Sequence, residues 1–192
     1  MLQLPRAHDG NAGEGNRVID PNAVQHINVK IFAEAGTVIP EEAIPVFHRW
    51  IKDGLCPEML IDVAEYRHVP AGPGVLLIAL EANYSFDNRE NRLGLLYNRK
   101  AALEGTFQSR LAQAHKSALE ACDRLEKDAA FGGKLKFDRS SLEVFVNDRL
   151  LAPNTEETWQ ALEPELKRYF PGAKMKRVGE PRDLFRVAVA TA

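Results

Sequence analysis

From Leu103 to Ala129 the apolar positions Leu103, Phe107, Leu111, Ala114, Ala118, Cys122, Leu125 and Ala129 recur at steps of 4, 4, 3, 4, 4, 3 and 4. That spacing keeps one face of an α-helix apolar along its whole length, so the chain must supply a partner surface as long as the helix. Thr106 is placed to cap the start and Gly132-Gly133 to end it, which predicts a helix over about 107–130. At about 1.5 Å per residue it spans on the order of 36 Å, enough to cover a sheet of about ten-residue strands. Ala114 and Ala118 in mid-stripe permit close approach, either to such a sheet or to a second copy of the helix. A homo-oligomer through helix 107–130 is therefore the other use of the stripe.

Residues 26–33 alternate as a strand does, and Val46, Phe47, Trp50 and Ile51 have helical spacing ahead of Gly54. Three apolar, β-branched and aromatic runs follow over 59–69, 74–86 and 92–100, separated by turn-rich stretches at 70–73 and 87–91. They predict a three-strand antiparallel meander. Beyond the long helix, strands near 134–138 and 142–150, a helix over 155–170 with Asn154 ahead of it, and strands near 174–178 and 184–190 form a ββαββ half. The expected class is α+β, an antiparallel meander sheet covered by one long helix with this smaller second half. Residues 1–25 read as a mobile N-terminal arm, because 8–16 are mostly Gly, Asn, Asp and Glu with little to bury. Residues 26–192 read as a single domain, with Phe131-Gly132-Gly133 as the one candidate sub-boundary.

Composition removes several function classes. With 45% hydrophobic residues in 192 the chain is not a disordered one, and 25 Lys+Arg against 27 Asp+Glu give no general attraction to nucleic acid or to a membrane. Between Lys167 and Arg186 seven cations face two carboxylates, but interleaved aromatics and a helix-turn-helix are missing, so this reads as a solvated face and no nucleic-acid partner is expected. The longest apolar run, Val75 to Leu80, is far short of the roughly 20 residues that span a bilayer, and the opening residues lack a secretory apolar core. A cytoplasmic protein without membrane contact is expected. Cys56 and Cys122 stand in neither a CxxC motif nor a Cys/His cluster, so no metal and no cofactor is expected.

Turn lengths place polar residues in a row. If 70–73 is a four-residue loop, Asp62 falls opposite Glu81, and if 87–91 is the next loop, Glu81 falls opposite Tyr97 with Arg99 on the diagonal. The other face would carry Ile61, Val63, Leu76, Ile78, Leu80, Ala82, Tyr84 and Leu96 as core. Adjacent carboxylates drive one pKa up, which is how an acid/base pair is made. Asp62, Glu81 and Tyr97 are thus the catalytic candidates, with Arg99 as anion clamp. The plain alternative is that Arg99 neutralises an ordinary salt-bridge network. Three further ligand-binding candidates are His68, ahead of the glycine-bearing loop 70–74, and Asp148 with Arg149 at a strand end.

The segments Phe47-His48-Arg49-Trp50-Ile51, Leu60 to Val69, Gly72 to Ile78, Gly94 to Lys100 and Asn147 to Asn154 resemble a group of uncharacterised bacterial proteins of similar size. The resemblance implies a bacterial cytosolic setting and brings no catalytic residue with it. Two readings of function stand. One is a non-catalytic, self-associating module that binds a partner or a small ligand, such as a polar or anionic one. The other is a metal-independent enzyme on a small polar or anionic substrate, using the carboxylate pair with Tyr97 and Arg99.

Overall fold

A computed structural model describes residues 18–34, 38–66, 69 and 72–191 of the chain. Strand β1 (Ile27–Ala33) leads into helix α1 (Ala43–Asp53) and then into four strands, β2 (Leu60–Glu65), β3 (Val75–Ala79), β4 (Ala82–Asp87) and β5 (Gly94–Arg99). Helix α2 (Phe107–Lys127), strand β6 (Phe137–Val146), helix α3 (Glu156–Tyr169) and strands β7 (Lys174–Val178) and β8 (Phe185–Ala190) follow. The eight strands form one antiparallel sheet in the order β2-β3-β4-β5-β1-β6-β8-β7, and the fold is α+β. β1 pairs with β5 on one side and β6 on the other, so the two halves of the sequence share a sheet through it.

The apolar stripe of α2 is laid on that sheet. Phe107, Leu111, Ala114, Ala118, Ala121, Cys122 and Leu125 are buried, and the helix rests mainly on β1 and β5 with α3 beside it. The stripe is therefore spent within the chain, and the expected self-association through helix 107–130 has no free apolar face to use. Thr106 caps the helix by accepting from the Ser109 N–H at 3.2 Å, while the Ser109 hydroxyl accepts from the Thr106 N–H at 2.9 Å. Helix α1 buries Val46, Phe47 and Trp50 beside β2 and β3, and Gly54 ends it at φ 60°, a left-handed conformation glycine takes without strain.

Two strand expectations are corrected. The run 74–86 is not one strand but the hairpin β3–β4, with Leu80 and Glu81 as a two-residue turn and Ile78 opposite Asn83. The turn is held from outside: Leu80 N–H donates to the Met59 carbonyl at 2.9 Å, and the N–H groups of Lys100 and Ala101 donate to the Glu81 carbonyl at 2.9 and 3.0 Å. An even turn inside the run reverses which parity faces the core. Val75, Leu77 and Ala79 are buried with Ala82, Tyr84 and Phe86, whereas the expected core residues Leu76 and Ile78 are half-buried on the other face and Leu80 is 59% exposed. In the second half, the two expected strands 134–138 and 142–150 are the single strand β6. Asp138 pairs with Phe32 and Leu142 with Ile31, so residues 139–141 bulge between neighbouring rungs, pinned by the Asp138 carboxylate accepting from the Ser140 N–H and hydroxyl at 2.9 and 2.6 Å.

With all three helices contributing to one side, the other face of the sheet has no helix over it and mixes charged side chains with Phe32, Leu76, Ile78 and Phe145. At its middle Lys30 pairs with Asp87 and donates to the Arg92 carbonyl at 2.9 Å, the Lys30 and Asp87 side chains being only 4% and 2% exposed. Gly94 makes this approach physically allowed, since a Cβ there would stand 2.6 Å from the Ile31 carbonyl oxygen and 2.8 Å from Lys30 Cε. Removing either partner of such a buried pair typically costs about 3–5 kcal/mol. The pair fixes the β4–β5 connection over the open face. Of the expected N-terminal arm, residues 1–17 lie outside the described residues, while 18–25 include a 3-10 turn at Pro21–Ala23.

Candidate functional site

The row of Asp62, Glu81 and Tyr97 does not form. Asp62 faces Ile78, is exposed, and turns its Oδ1 back onto the Val63 N–H at 2.8 Å. Glu81 sits in the β3–β4 turn, where its Oε2 accepts from the Met59 N–H at 3.1 Å. The acid/base pairing expected of these two carboxylates thus has no cross-strand geometry, because the turn at Leu80-Glu81 takes Glu81 out of the sheet. Tyr97 lies opposite Tyr84 and Val29 on the helix-covered face, fully buried, and Arg99 is opposite Ala82 on the same side. The Arg99 Nε donates to the Ala101 carbonyl at 3.0 Å, which holds the guanidinium at the strand end.

The carboxylate that does meet Tyr97 is Glu58, a residue the sequence pattern does not single out. Its Oε1 accepts from the Tyr97 hydroxyl at 2.8 Å and its Oε2 from the Tyr84 hydroxyl at 2.7 Å, with Glu58 itself 7% exposed. Gln113 Nε2 donates to the Tyr97 oxygen at 2.8 Å and to Ser117 Oγ at 3.1 Å, tying α2 into the same network. Burial pushes the Tyr97 phenol up to about 12 and the neighbouring Cys56 thiol up to about 11, and raises Tyr84 further still. These groups stay protonated at neutral pH. The network pins the α1–β2 connection to the sheet, and its hydroxyls are already engaged.

His68 lies outside the described residues. Asp148 closes the turn after β6, its Oδ1 accepting from the Leu151 N–H at 2.9 Å and its carbonyl from the Ala152 N–H at 2.8 Å. Arg149 is exposed beside a cavity of about 220 Å³ on the open face. The basic segment 167–186 is dispersed rather than gathered: Lys167 and Arg168 pair with Glu163 and Glu165 on α3, Arg177 bonds the Asn154 carbonyl under the helices, and Arg186 bonds Glu90.

A large concave feature lies at one end of the open face. A cavity of about 730 Å³ is enclosed by the β1–α1 connection with Glu34, Val38 and Ile39, the β4–β5 connection with Asn91, Arg92 and Leu93, and the lead into β6 with Lys134, Leu135 and Asp138. A second, of about 250 Å³, adjoins it over β7 and β8, floored by Ala188 and Ala190 and flanked by Lys174 and Lys176. The two share Phe32, Arg92 and Ser141. Small-molecule sites usually measure about 300–1,000 Å³, and this cleft has that size, with a lining divided between apolar and polar side chains.

Arg92 stands at the junction. Its guanidinium lies over the Phe32 ring at 3.5 Å, with Nη2 3.5 Å from Ser141 Oγ and Nη1 4.0 Å from Glu143. The backbone that presents it turns through two left-handed residues, Glu90 at φ 60° and Asn91 at φ 56°, a conformation that costs about 1–2 kcal/mol in a non-glycine residue. Four cations, Arg92, Lys134, Lys174 and Lys176, line the two cavities against two carboxylates, Glu34 and Asp138. Asp138 is already committed, since the Ser140 hydroxyl and N–H hold its carboxyl below the usual range. Burial raises the Glu143 pKa behind Arg92, against the pull of Arg186, Lys30 and Arg92. The cleft therefore carries a positive surplus beside apolar walls, and no single stretch of sequence announces it, because its residues come from six separate segments.

Among the described residues, no group of three or more His, Cys, Asp or Glu side chains is arranged to hold a metal ion, and no helix is long and apolar enough to cross a membrane. No protein-family model and no curated protein matches this chain.

Proposed function

We propose that this protein is a binding module that holds a small anion with an apolar body in the cleft around Arg92. The observation that carries the reading is the meeting of two cavities at one guanidinium stacked on Phe32, with Lys134 on one side and Lys174 and Lys176 on the other. Arginine offers a planar fork to a carboxylate or phosphate, the lysines add unfocused positive charge, and Val38, Leu93, Leu135 and Met175 supply apolar wall. Self-association through α2 does not enter this reading, since the stripe is already buried on the sheet. Two unpaired thiols, Cys56 and Cys122, fit a reducing compartment such as the cytoplasm.

Calorimetry with hexyl phosphate, and with hexanol as the uncharged control, tests it. Saturable binding of the phosphate and none of the alcohol is expected, weakened at least about tenfold by Arg92→Ala, the usual consequence of losing one charge-assisted hydrogen-bonding group. The Arg92 carbonyl that receives Lys30 survives this substitution, so the sheet should stay intact. Equal affinity in the wild type and in Arg92→Ala would overturn the assignment.

A further inference from the structure

The cavity beside Arg149 is separate from the cleft around Arg92, and its chemistry is different. Three arginines from distant parts of the chain line it: Arg89 from the β4–β5 connection, Arg149 from the turn after β6, and Arg186 from β8. Phe145 and Leu184 contribute the apolar part of the lining. Arg186 is fixed in place, with Nη1 2.8 Å from Glu90 and 3.7 Å from Glu143. Among the described residues, neither the Arg89 nor the Arg149 guanidinium has an ion pair or hydrogen bond. The remaining carboxylate of the lining, Asp183, is turned into its own loop, where Oδ2 accepts from the Glu180 N–H at 2.7 Å. Two arginines with unpaired guanidinium groups thus line one concavity together with a third, Arg186.

We infer that Arg89, Arg149 and Arg186 form a second site, specific for a compact phosphate-class oxyanion. Three features select that class. A dianion offers enough oxygens and charge to take charge-assisted bonds from both unpaired guanidinium groups at once, which chloride or a monocarboxylate does not. Phosphate presents its oxygens tetrahedrally, so forks arriving from three segments can each take an edge, whereas a planar carboxylate is satisfied by one fork. The volume, about 220 Å³, lies below the usual range for whole small-molecule ligands, and so suits an anionic group rather than a large body. The β4–β5 connection links the two sites in space, since Arg89 faces this one and Arg92 the cleft.

Titration of ¹⁵N-labelled protein with inorganic phosphate at constant ionic strength, with chloride as the balancing salt, tests the inference. Saturable shifts centred on Arg89, Arg149 and Arg186 are expected, with affinity lowered about tenfold in Arg89→Ala and in Arg149→Ala, and less in Arg149→Lys, which keeps the charge but loses the fork. Both arginines are exposed and unpaired, so unchanged thermal midpoints should accompany the loss. In Arg92→Ala the saturable shifts at Arg89, Arg149 and Arg186 should persist, which separates this site from the cleft, where any phosphate shifts should be lost. A parallel titration with methyl phosphate distinguishes the sources: equal affinity identifies a site for the phosphate of a larger ester, and preference for inorganic phosphate identifies a site for the free ion. Unchanged phosphate affinity in the Arg89→Ala/Arg149→Ala double variant would overturn the inference, as would phosphate shifts spread over the surface without saturation.

Discussion

Three carboxylates close together in this chain meet three different fates. Asp62 is exposed and bonds its own neighbour, Glu81 closes a turn, and Glu58 is buried between two phenols. Their energetic weight follows burial rather than charge. Replacing Asp62 with Ala should change stability by no more than about 0.5 kcal/mol, whereas Glu58→Ala leaves two buried hydroxyls without an acceptor and should cost about 2–4 kcal/mol. A lower urea midpoint at unchanged slope for Glu58→Ala alone is the expected reading, and equal midpoints for both variants would contradict it. The pH dependence divides along the same lines. Burial raises the Glu143 pKa, so the folded chain keeps a proton that the unfolded chain releases, and stability falls as pH rises from the ordinary carboxylate range through the raised value. Glu143→Gln should therefore gain on the wild type in urea midpoint as the pH rises through that window. A variant that instead loses ground would show that the Arg186 and Arg92 pairing outweighs burial. Glu126 works in the opposite sense: burial pushes its pKa up, but the bonds from Arg139 and the Phe137 N–H prevail and hold it low. Its contribution is present above the ordinary carboxylate range and is lost as pH falls through the lowered value. At this scale the sequence placed Tyr97 and Arg99 on the same side of one strand but assigned Tyr97 the wrong carboxylate, since that depends on pairing between strands.

The elements divide by how local their determinants are. Helix α2 was legible because its stripe and Thr106 lie within one stretch of chain, and α1 ended at Gly54 for the same reason, but the glycines expected to end α2 follow a separate 3-10 turn at Ala129–Phe131 and the helix itself stops at Asp128. The β3–β4 hairpin was not, because Leu80-Glu81 carries no glycine or asparagine and is stabilised by Met59, Lys100 and Ala101 from other segments. That one turn inverted the core parity of β3, while Ala82 and Tyr84 on β4 kept the side expected of them. The small residues of α2 give an element-scale prediction. Ala114 and Ala118 are fully buried in the face that packs on the sheet, so Ala118→Leu should overpack the contact and cost about 1–3 kcal/mol. A helix that used this stripe to meet a second copy would show instead a change of subunit number in light scattering, with monomer stability preserved.

In the whole molecule, three helices seal one face of an eight-stranded sheet and leave the other to charged side chains anchored by Lys30 and Asp87. Placing β1 between β5 and β6 brings Phe32 next to Arg92 and Ser141, three positions separated by 49 residues or more in sequence. No motif spacing encodes that meeting, because it arises from strand order, which is set by long-range pairing. The small anionic ligand expected from Arg99 beside the carboxylate row is thus kept as a proposal, but its site moves from that row to the opposite face of the sheet. The most direct test is a ¹⁵N–¹H correlation titration of wild-type and Arg92→Ala protein with hexyl phosphate. Saturable shifts at Phe32, Arg92, Ser141 and Ala188 in the wild type, lost in the variant, are the expected result. Shifts that avoid these residues, or that persist unchanged in Arg92→Ala, would contradict it.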